Sequence, residues 1–313
     1  MPRQRSSATT AECALEKGLR RRWRLGERAI EGGIFLASLL AIVVLLGIVA
    51  LLLRQGLPIF SYTPPWAFLF GTRWYPVSEP PTFGIAPFFV ATLWVTAVAT
   101  AVAVPVGVAC AAYLSEVARP AIRETAKPII ELLAGFPSVV MGFIGLLLLS
   151  PLIQSMFNLN TGLCGLAAGI MLSLMSLPII VTVSEDAMRA IPDDFRQAAY
   201  ALGATKWEVV RHVSIPAALS GISAAMMLGI GRAIGETMTV LMIAGGALAM
   251  PVSPTAPMMP MTAAIASGIG NAVRGGLQYQ ALFAIGLLLF LMTLAVNLVA
   301  DAVLERQKRK FQR

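Results

Sequence analysis

The chain has 313 residues and a formal net charge of +8. Hydrophobic residues make up 57% of it and charged residues only 13%, where a soluble domain carries about 25% charged. With a mean hydropathy of +0.77, this balance excludes an ordinary soluble enzyme and describes an integral membrane protein.

A membrane helix needs roughly 20 mostly apolar residues. In chain order, such runs fall near 33–53, 85–114, 128–152, 162–183, 219–250 and 281–300. The expected fold is all-α, a polytopic membrane protein of six transmembrane helices. Its parts read as a basic segment at 1–32, a first helix and external loop at 33–84, a transmembrane domain at 85–300, and a basic tail at 301–313. The first run exceeds the about 7–15 residues of a signal-peptide core, so it reads as a retained anchor.

Lys and Arg set the orientation. They crowd the first segment (Arg3 through Arg28), the loop after the second run (Arg119, Arg123, Lys127), the loop after the fourth (Arg189, Arg196, Lys206, Arg211) and the tail. The opposite side has only Arg54, Arg73 and Arg274. Both termini are therefore expected in the cytoplasm. The basic residues bracket the spans, so no nucleic-acid partner is implied.

The external stretch "SYTPPWAFLFGTRWYPVSEPPTFG" is rich in Trp, Tyr and Pro, a composition suited to interfacial anchoring. In the third run, "AGFPSVVMGFIG" places Pro137 and Ser138 where proline interrupts the helical ladder. Two readings stand: a kink that improves packing, or a broken helix that lines a cavity. Lys127 and Glu131 are four apart, which allows an intrahelical ion pair.

The loop after the fourth run, near 185–217, predicts a helix, a glycine turn and a second helix. Pro192 followed by Asp193 and Asp194 is a good helix start. Gly203 suits a left-handed C-terminal cap. Thr205 through Glu208 has the pattern of a capping box, and Pro216 marks the end near the fifth run.

The fifth run contains Arg232 and Glu236, although a charge at the bilayer centre costs about 2.5–3.5 kcal/mol on insertion scales. Four residues apart, they are expected on one helix face. Gly231 and Gly235 beside them form a G-x-x-x-G step that admits a close helix. The pair is either a structural bridge between helices or part of a path for an anion. Prolines 251, 254, 257 and 260 then predict an extended segment on the outer face.

No catalytic residue is expected. None of the lysines follows a glycine, so a phosphate-binding G-x-x-x-x-G-K-[ST] loop is absent, as are G-x-S-x-G and H-E-x-x-H. Cys13, Cys110 and Cys164 are far apart, and His212 is the sole histidine, so no metal site is expected.

The stretch "QAAYALGATKWEVVRHVSIP" resembles the EAA loop of ABC-importer permeases. Ala198, Ala199, Gly203, Val213, Ile215 and Pro216 match the motif, Ala204 follows the glycine, and Gln197 stands where the motif usually has Glu. "AAYLSEVARP", "ELLAGFPSVVMG", "GRAIGETMTVLMIAGG" and "QYQALFAIGLLLFLMTLAVNLVA" are together similar to the C-type permeases of phosphate-specific transport systems. The resemblance covers about 85–300. It implies a type I (MetI-like) permease core in the bacterial inner membrane, paired as a heterodimer with a homologous A-type permease. It implies two copies of a cytoplasmic ATPase, an external phosphate-binding protein, and no cofactor in this chain, since ATP and Mg would sit on the ATPase. It also implies functional importance for Arg232 and Glu236. A permease for sulfate, molybdate or phosphonate remains an alternative. An ion-coupled secondary transporter, or a non-transporting scaffold or sensor, is a further one.

Overall fold

The computed structural model describes the backbone of residues 6–311 and the side chains of 31–299, 302 and 305. The side chains of most of the basic N-terminal segment and of most of the basic tail lie outside the described residues. The chain divides into two units, Met1–Arg54 and Gln55–Arg313.

The first unit is most of helix α1 (Ser6–Gly56). A span-length apolar stretch covers Glu31–Ser61. Its side chains from 31 to 48 are exposed, Leu36 by 66% and Leu46 by 62%. A helix hydrophobic all round belongs in lipid or a core, not in water.

The second unit opens with a tight turn and a short helix, α2 (Pro65–Phe70). A two-stranded antiparallel hairpin follows, β1 (Trp74–Tyr75) with β2 (Thr82–Phe83), Trp74 opposite Phe83. This stretch divides its aromatics. Trp74 is buried edge-on between Phe83 and Phe88, at 5.6 and 5.2 Å between ring centroids. Trp66 and Tyr75 stay exposed and suit an interfacial role.

The remaining helices are α3 (Ala86–Ala112), α4 (Pro120–Ala134), α5 (Ser138–Ile144), α6 (Ser150–Phe157), α7 (Gly165–Arg189), α8 (Asp193–Ala201), α9 (Lys206–Val209), α10 (Ile215–Ala217), α11 (Leu219–Gly235), α12 (Met238–Ile243), α13 (Met261–Ile269) and α14 (Leu277–Phe311). Wider π turns at Tyr113–Val117, Gly145–Leu149 and Val210–Ser214 carry α3 onward, join α5 to α6, and join α9 to α10. Among the described residues, 5 helices are long and apolar enough to cross a membrane, or 6 with the bent pair that ends in α11.

Two expected spans are corrected. The third does not start at 128. Helix α4 buries none of its residues and carries charge along one side. The chain breaks at Gly135–Pro137, and the span runs from Ser138 to Phe157. The fifth does not run to 250. Helix α11 stops at Gly235, Glu236 is extended, and α12 is a separate short helix. The proline-rich segment after it is also not a continuous polyproline stretch. It turns at 253–256 and folds back, so that the Pro254 and Ala256 carbonyls accept from Leu166 and Gly165 at the start of α7.

Helix α7 is the axis of the core. One face of α3, through Ala91, Ala99, Ala103, Gly107 and Ala111, is buried. An added Cβ at Gly107 would lie 2.6 Å from Ile180, and one at Gly229 of α11 would lie 2.7 Å from the same side chain. Ile180 thus fills two glycine notches. Lipid tails supply no hydrophobic drive between helices, so small residues and close backbones hold such a bundle. At Gly169 an added Cβ would lie 2.5 Å from the stiff, branched Val98. Gly169→Val is expected to cost about 1–3 kcal/mol by overpacking. It should lower the thermal midpoint of the detergent-purified chain, followed by size-exclusion chromatography, and Val98→Ala should recover part of the loss.

Candidate functional site

The segment after α7 is helix, glycine turn, helix. Pro192 is extended and precedes α8, with Asp193 and Asp194 in the first turn against its N-terminal dipole. Gly203 has φ +86, a left-handed value that a side chain rarely adopts. No atom lies within 4 Å of an added Cβ there, so the turn, not crowding, demands glycine. The Ala204 N–H donates to Ala199 at 3.1 Å, satisfying a carbonyl at the helix end.

Thr205 caps the second helix. Its Oγ1 accepts from the Glu208 N–H, and a Glu208 carboxylate oxygen accepts from the Thr205 N–H at 2.7 Å. Both arms of the box are therefore made. The backbone hydrogen bond from Thr205, then its hydroxyl, holds the Glu208 carboxyl below its ordinary pKa. Pro216 does not end the helix. It sits in the first turn of α10, where its missing N–H is harmless, and the chain bends by 73° at Ala218 into α11.

Exposure divides the segment's residues. Phe195, Tyr200, Leu202 and Trp207 are exposed, Leu202 by 90%. Gln197, Ala198 and Gly203 are exposed beside them, while Ala199, Ala204, Val213, Ile215 and Pro216 are half-buried toward the spans. One side holds the segment to the bundle, and the other presents a rigid, partly apolar face.

Arg196 pins this segment. Its side chain is 14% exposed and meets Glu116, 6% exposed, from the turn that ends α3. Nε and an Nη reach Glu116 Oε1 at 3.2 and 3.0 Å. The same guanidinium donates to the Met188 carbonyl at 2.7 Å, to Ile191 at 2.9 Å and to Asp193 at 2.9 Å. Desolvation lowers its pKa, but the hydrogen bond and charge of Glu116, helped by Asp193, outweigh that and raise it.

A second cluster sits at the end of α7. Lys127 does not pair with Glu131. It reaches Glu185 at 2.5 Å and Asp186 at 2.7 Å, across from α4 to α7. Desolvation pulls the Lys127 pKa down, and these two carboxylates more than restore it. Glu185 is 1% exposed, and Arg189 stands 3.5 Å from its other oxygen. A buried charge demands such partners.

The second candidate region is the break between α11 and α12. Arg232 is half-buried, and its Nε is buried without a hydrogen-bond partner. Glu236 is not on its helix face, because the helix has ended and Glu236 is extended. Among the ion pairs of the described residues, none joins them. No helix closes on Gly231 or Gly235 either, since nothing lies within 4 Å of an added Cβ at either one.

Hydroxyls close the break instead. The Glu236 carbonyl accepts from Thr262 Oγ1 of α13 at 2.8 Å. Thr239 Oγ1, at the start of α12, donates to the Ser138 carbonyl at 2.9 Å. Pro137 is the extended cap of α5, so both breaks meet where α5 packs on α12. Sequence spacing gave no sign of these contacts, nor of Arg196 with Glu116, which are 80 residues apart.

A bundle of apolar, span-length helices with a broken helix within it is the architecture of a polytopic membrane protein. Residues 103–313 match the binding-protein-dependent transport system inner membrane components, and the chain belongs to that family. It is 36% identical over 277 residues to the probable ABC transporter permease protein YqgH of Bacillus subtilis, covering 88% of each chain. It is 36% identical over 290 residues to the phosphate transport system permease protein PstC of Mesorhizobium japonicum, covering 86% of this chain and 88% of that one. The fold is shared with a chain of a bacterial alginate ABC transporter, at TM-score 0.64 and 14% identity over 93% of this chain and 97% of that one. It is also shared with the MetNI methionine ABC transporter in inward-facing form, at TM-score 0.56 and 19% identity over 74% and 99%. The permease fold expected from the sequence is the one present.

The lowered Glu208 pKa has a pH consequence. A carboxylate with a depressed folded pKa contributes stability above its unfolded pKa and loses it as pH falls through the folded value. Amide hydrogen exchange at Thr205 and Glu208, corrected for intrinsic rates, should therefore quicken on acidification below the ordinary carboxylate range. Thr205→Ala, which removes the acceptor hydroxyl, should quicken exchange at Glu208 at neutral pH, and Glu208→Gln should remove the acid step.

Proposed function

We propose that this chain is the C-type permease subunit of an ATP-driven importer of inorganic phosphate in the bacterial inner membrane. The observation that carries the choice of phosphate is the 36% identity to a phosphate permease over 86% of this chain. In this reading the chain catalyses no reaction. It forms half of the path with a homologous A-type permease and takes phosphate from an external binding protein.

The segment at 193–217 would dock in the cytoplasmic ATPase, of which two copies serve the complex. ATP and Mg would be bound there, and this chain would hold no cofactor. Both termini would then be cytoplasmic, on the side of the basic clusters. The exposed Phe195, Leu202 and Trp207, with Gln197 and Ala198, support docking, because they are a fixed apolar face at the tip of a capped turn. Gly203 would permit close backbone approach. Gln197 in place of the usual Glu would dock without that charge.

Arg232 would supply the cation of the path. Its orphaned Nε is a donor in want of an acceptor, and a guanidinium fork fits phosphate oxygens. Glu236 would offset the charge, so that the anion binds weakly enough to leave. Pro137 and Ser138 would belong to the path wall through the Thr239 contact.

Radiolabelled phosphate uptake should fall on deletion of this gene and resist excess sulfate. Uptake that persists, or that sulfate abolishes, contradicts the choice of phosphate. Gly203→Asp should leave the chain in the membrane yet disconnect ATP hydrolysis from uptake. Wild-type transport by that variant would sink the docking assignment.

A further inference from the structure

We infer that Arg196 is the positioning residue through which the docking segment moves the spans, an inference that rests on the docking role of 193–217. The segment touches the bundle at several places, and among the described residues Arg196 is the one whose side chain both salt-bridges α3, at Glu116, and bonds a backbone carbonyl of α7, at Met188. Its guanidinium grips the Glu116 carboxylate at the end of α3 with two nitrogens. It also holds the Met188 carbonyl in the last turn of α7, and Ile191 just after it. Helices α3 and α7 form the core pair of the bundle, and both their ends on this side converge on one side chain.

The chemistry favours a mechanical role. Forked, charge-assisted hydrogen bonds fix direction as well as distance. Arg196 is 14% exposed and Glu116 is 6% exposed, so water does not screen the grip as it does a surface pair. Lys127 braces the same end of α7 through Glu185 and Asp186. A push on α8 is thereby handed to α3 and α7 as one body. Removing the grip leaves Phe195, Leu202, Gly203 and Trp207 in place to bind the ATPase, but lets α8 shift without the spans.

A lysine at this position keeps the charge but gathers its three donors on one compact nitrogen, without the planar fork. It cannot hold Glu116, Met188 and Ile191 together. The test is Arg196→Lys, with Glu116→Gln as a second variant, in the full complex co-purified with its ATPase and reconstituted in liposomes with the binding protein. Phosphate transported is measured per ATP hydrolysed. Both variants should co-purify with the ATPase at wild-type yield and hydrolyse ATP. Their transport-to-hydrolysis ratio should fall about tenfold, the scale of one lost charge-assisted hydrogen bond.

A merely structural role would lower transport and hydrolysis together and leave the ratio unchanged, and that outcome overturns the inference. So does a loss of ATPase from the purified complex, which would place Arg196 in docking rather than in transmission. Gly203→Asp run alongside separates the two levels. If it too transports with the normal ratio, the docking assignment fails, whatever Arg196 does.

Discussion

Inside a bilayer every backbone N–H and C=O must find a partner within the protein. A helix satisfies this by itself, and any break must be repaired by something else. This chain breaks at Gly135–Pro137 and again at Glu236–Thr237. Backbone bonds such as Phe136 N–H to Leu133 meet part of this need, and threonine hydroxyls add ties there and at the start of α13. Thr262 takes the Glu236 carbonyl, Thr239 takes the Ser138 carbonyl, and Thr92 accepts the Met261 N–H at 3.0 Å. Each hydroxyl joins two elements distant in sequence. The breaks are thus where the bundle is tied together, and they leave Arg232 one turn from a helix end with a donor unmet.

Helix α11 connects the two regions of interest. Its 17 residues rise about 25 Å. One end is the sharp bend at Ala218 below the docking segment, and the other is the break beyond Arg232. Gly229 seats it against Ile180 of α7, while Arg196 ties the docking segment to α7 and α3. A displacement of the 193–217 segment therefore has a stiff route to the break, through packed helices rather than through loops. The bundle's small-residue contacts suit this, since close-packed backbones transmit a shift without first compressing side chains.

The helix–turn–helix segment at 193–217 was legible in the sequence because its signals are local. A proline followed by two acids, a glycine and a capping box each act within a few residues, and each has its expected place. Pro137 was legible as an interruption of the helix, but whether as a packing kink or a full break was not, since Pro105, Pro128 and Pro178 lie inside helices that continue through them. The break at Glu236 was not. The stretch "AIGETM" has no proline, and Gly235 alone is tolerated within membrane helices. Tertiary hydroxyls, not local chemistry, make the stop possible. The ion pairs were illegible on the same ground. Lys127 had a helical partner in reach at Glu131, and only the packing of α4 on α7 turns it toward Glu185, 58 residues away.

In the proposed role, the unmet donor of Arg232 at this break would serve an anion. Arg232→Gln tests it most directly, with assembly and uptake measured on the same preparation. The variant keeps a polar side chain and removes the charge. The expected result is a complex that accumulates in the membrane with its partner subunits and loses phosphate uptake. A complex that assembles and transports at the wild-type rate would contradict it. So would a chain that fails to accumulate, because Arg232 would then hold the bundle together rather than meet the anion.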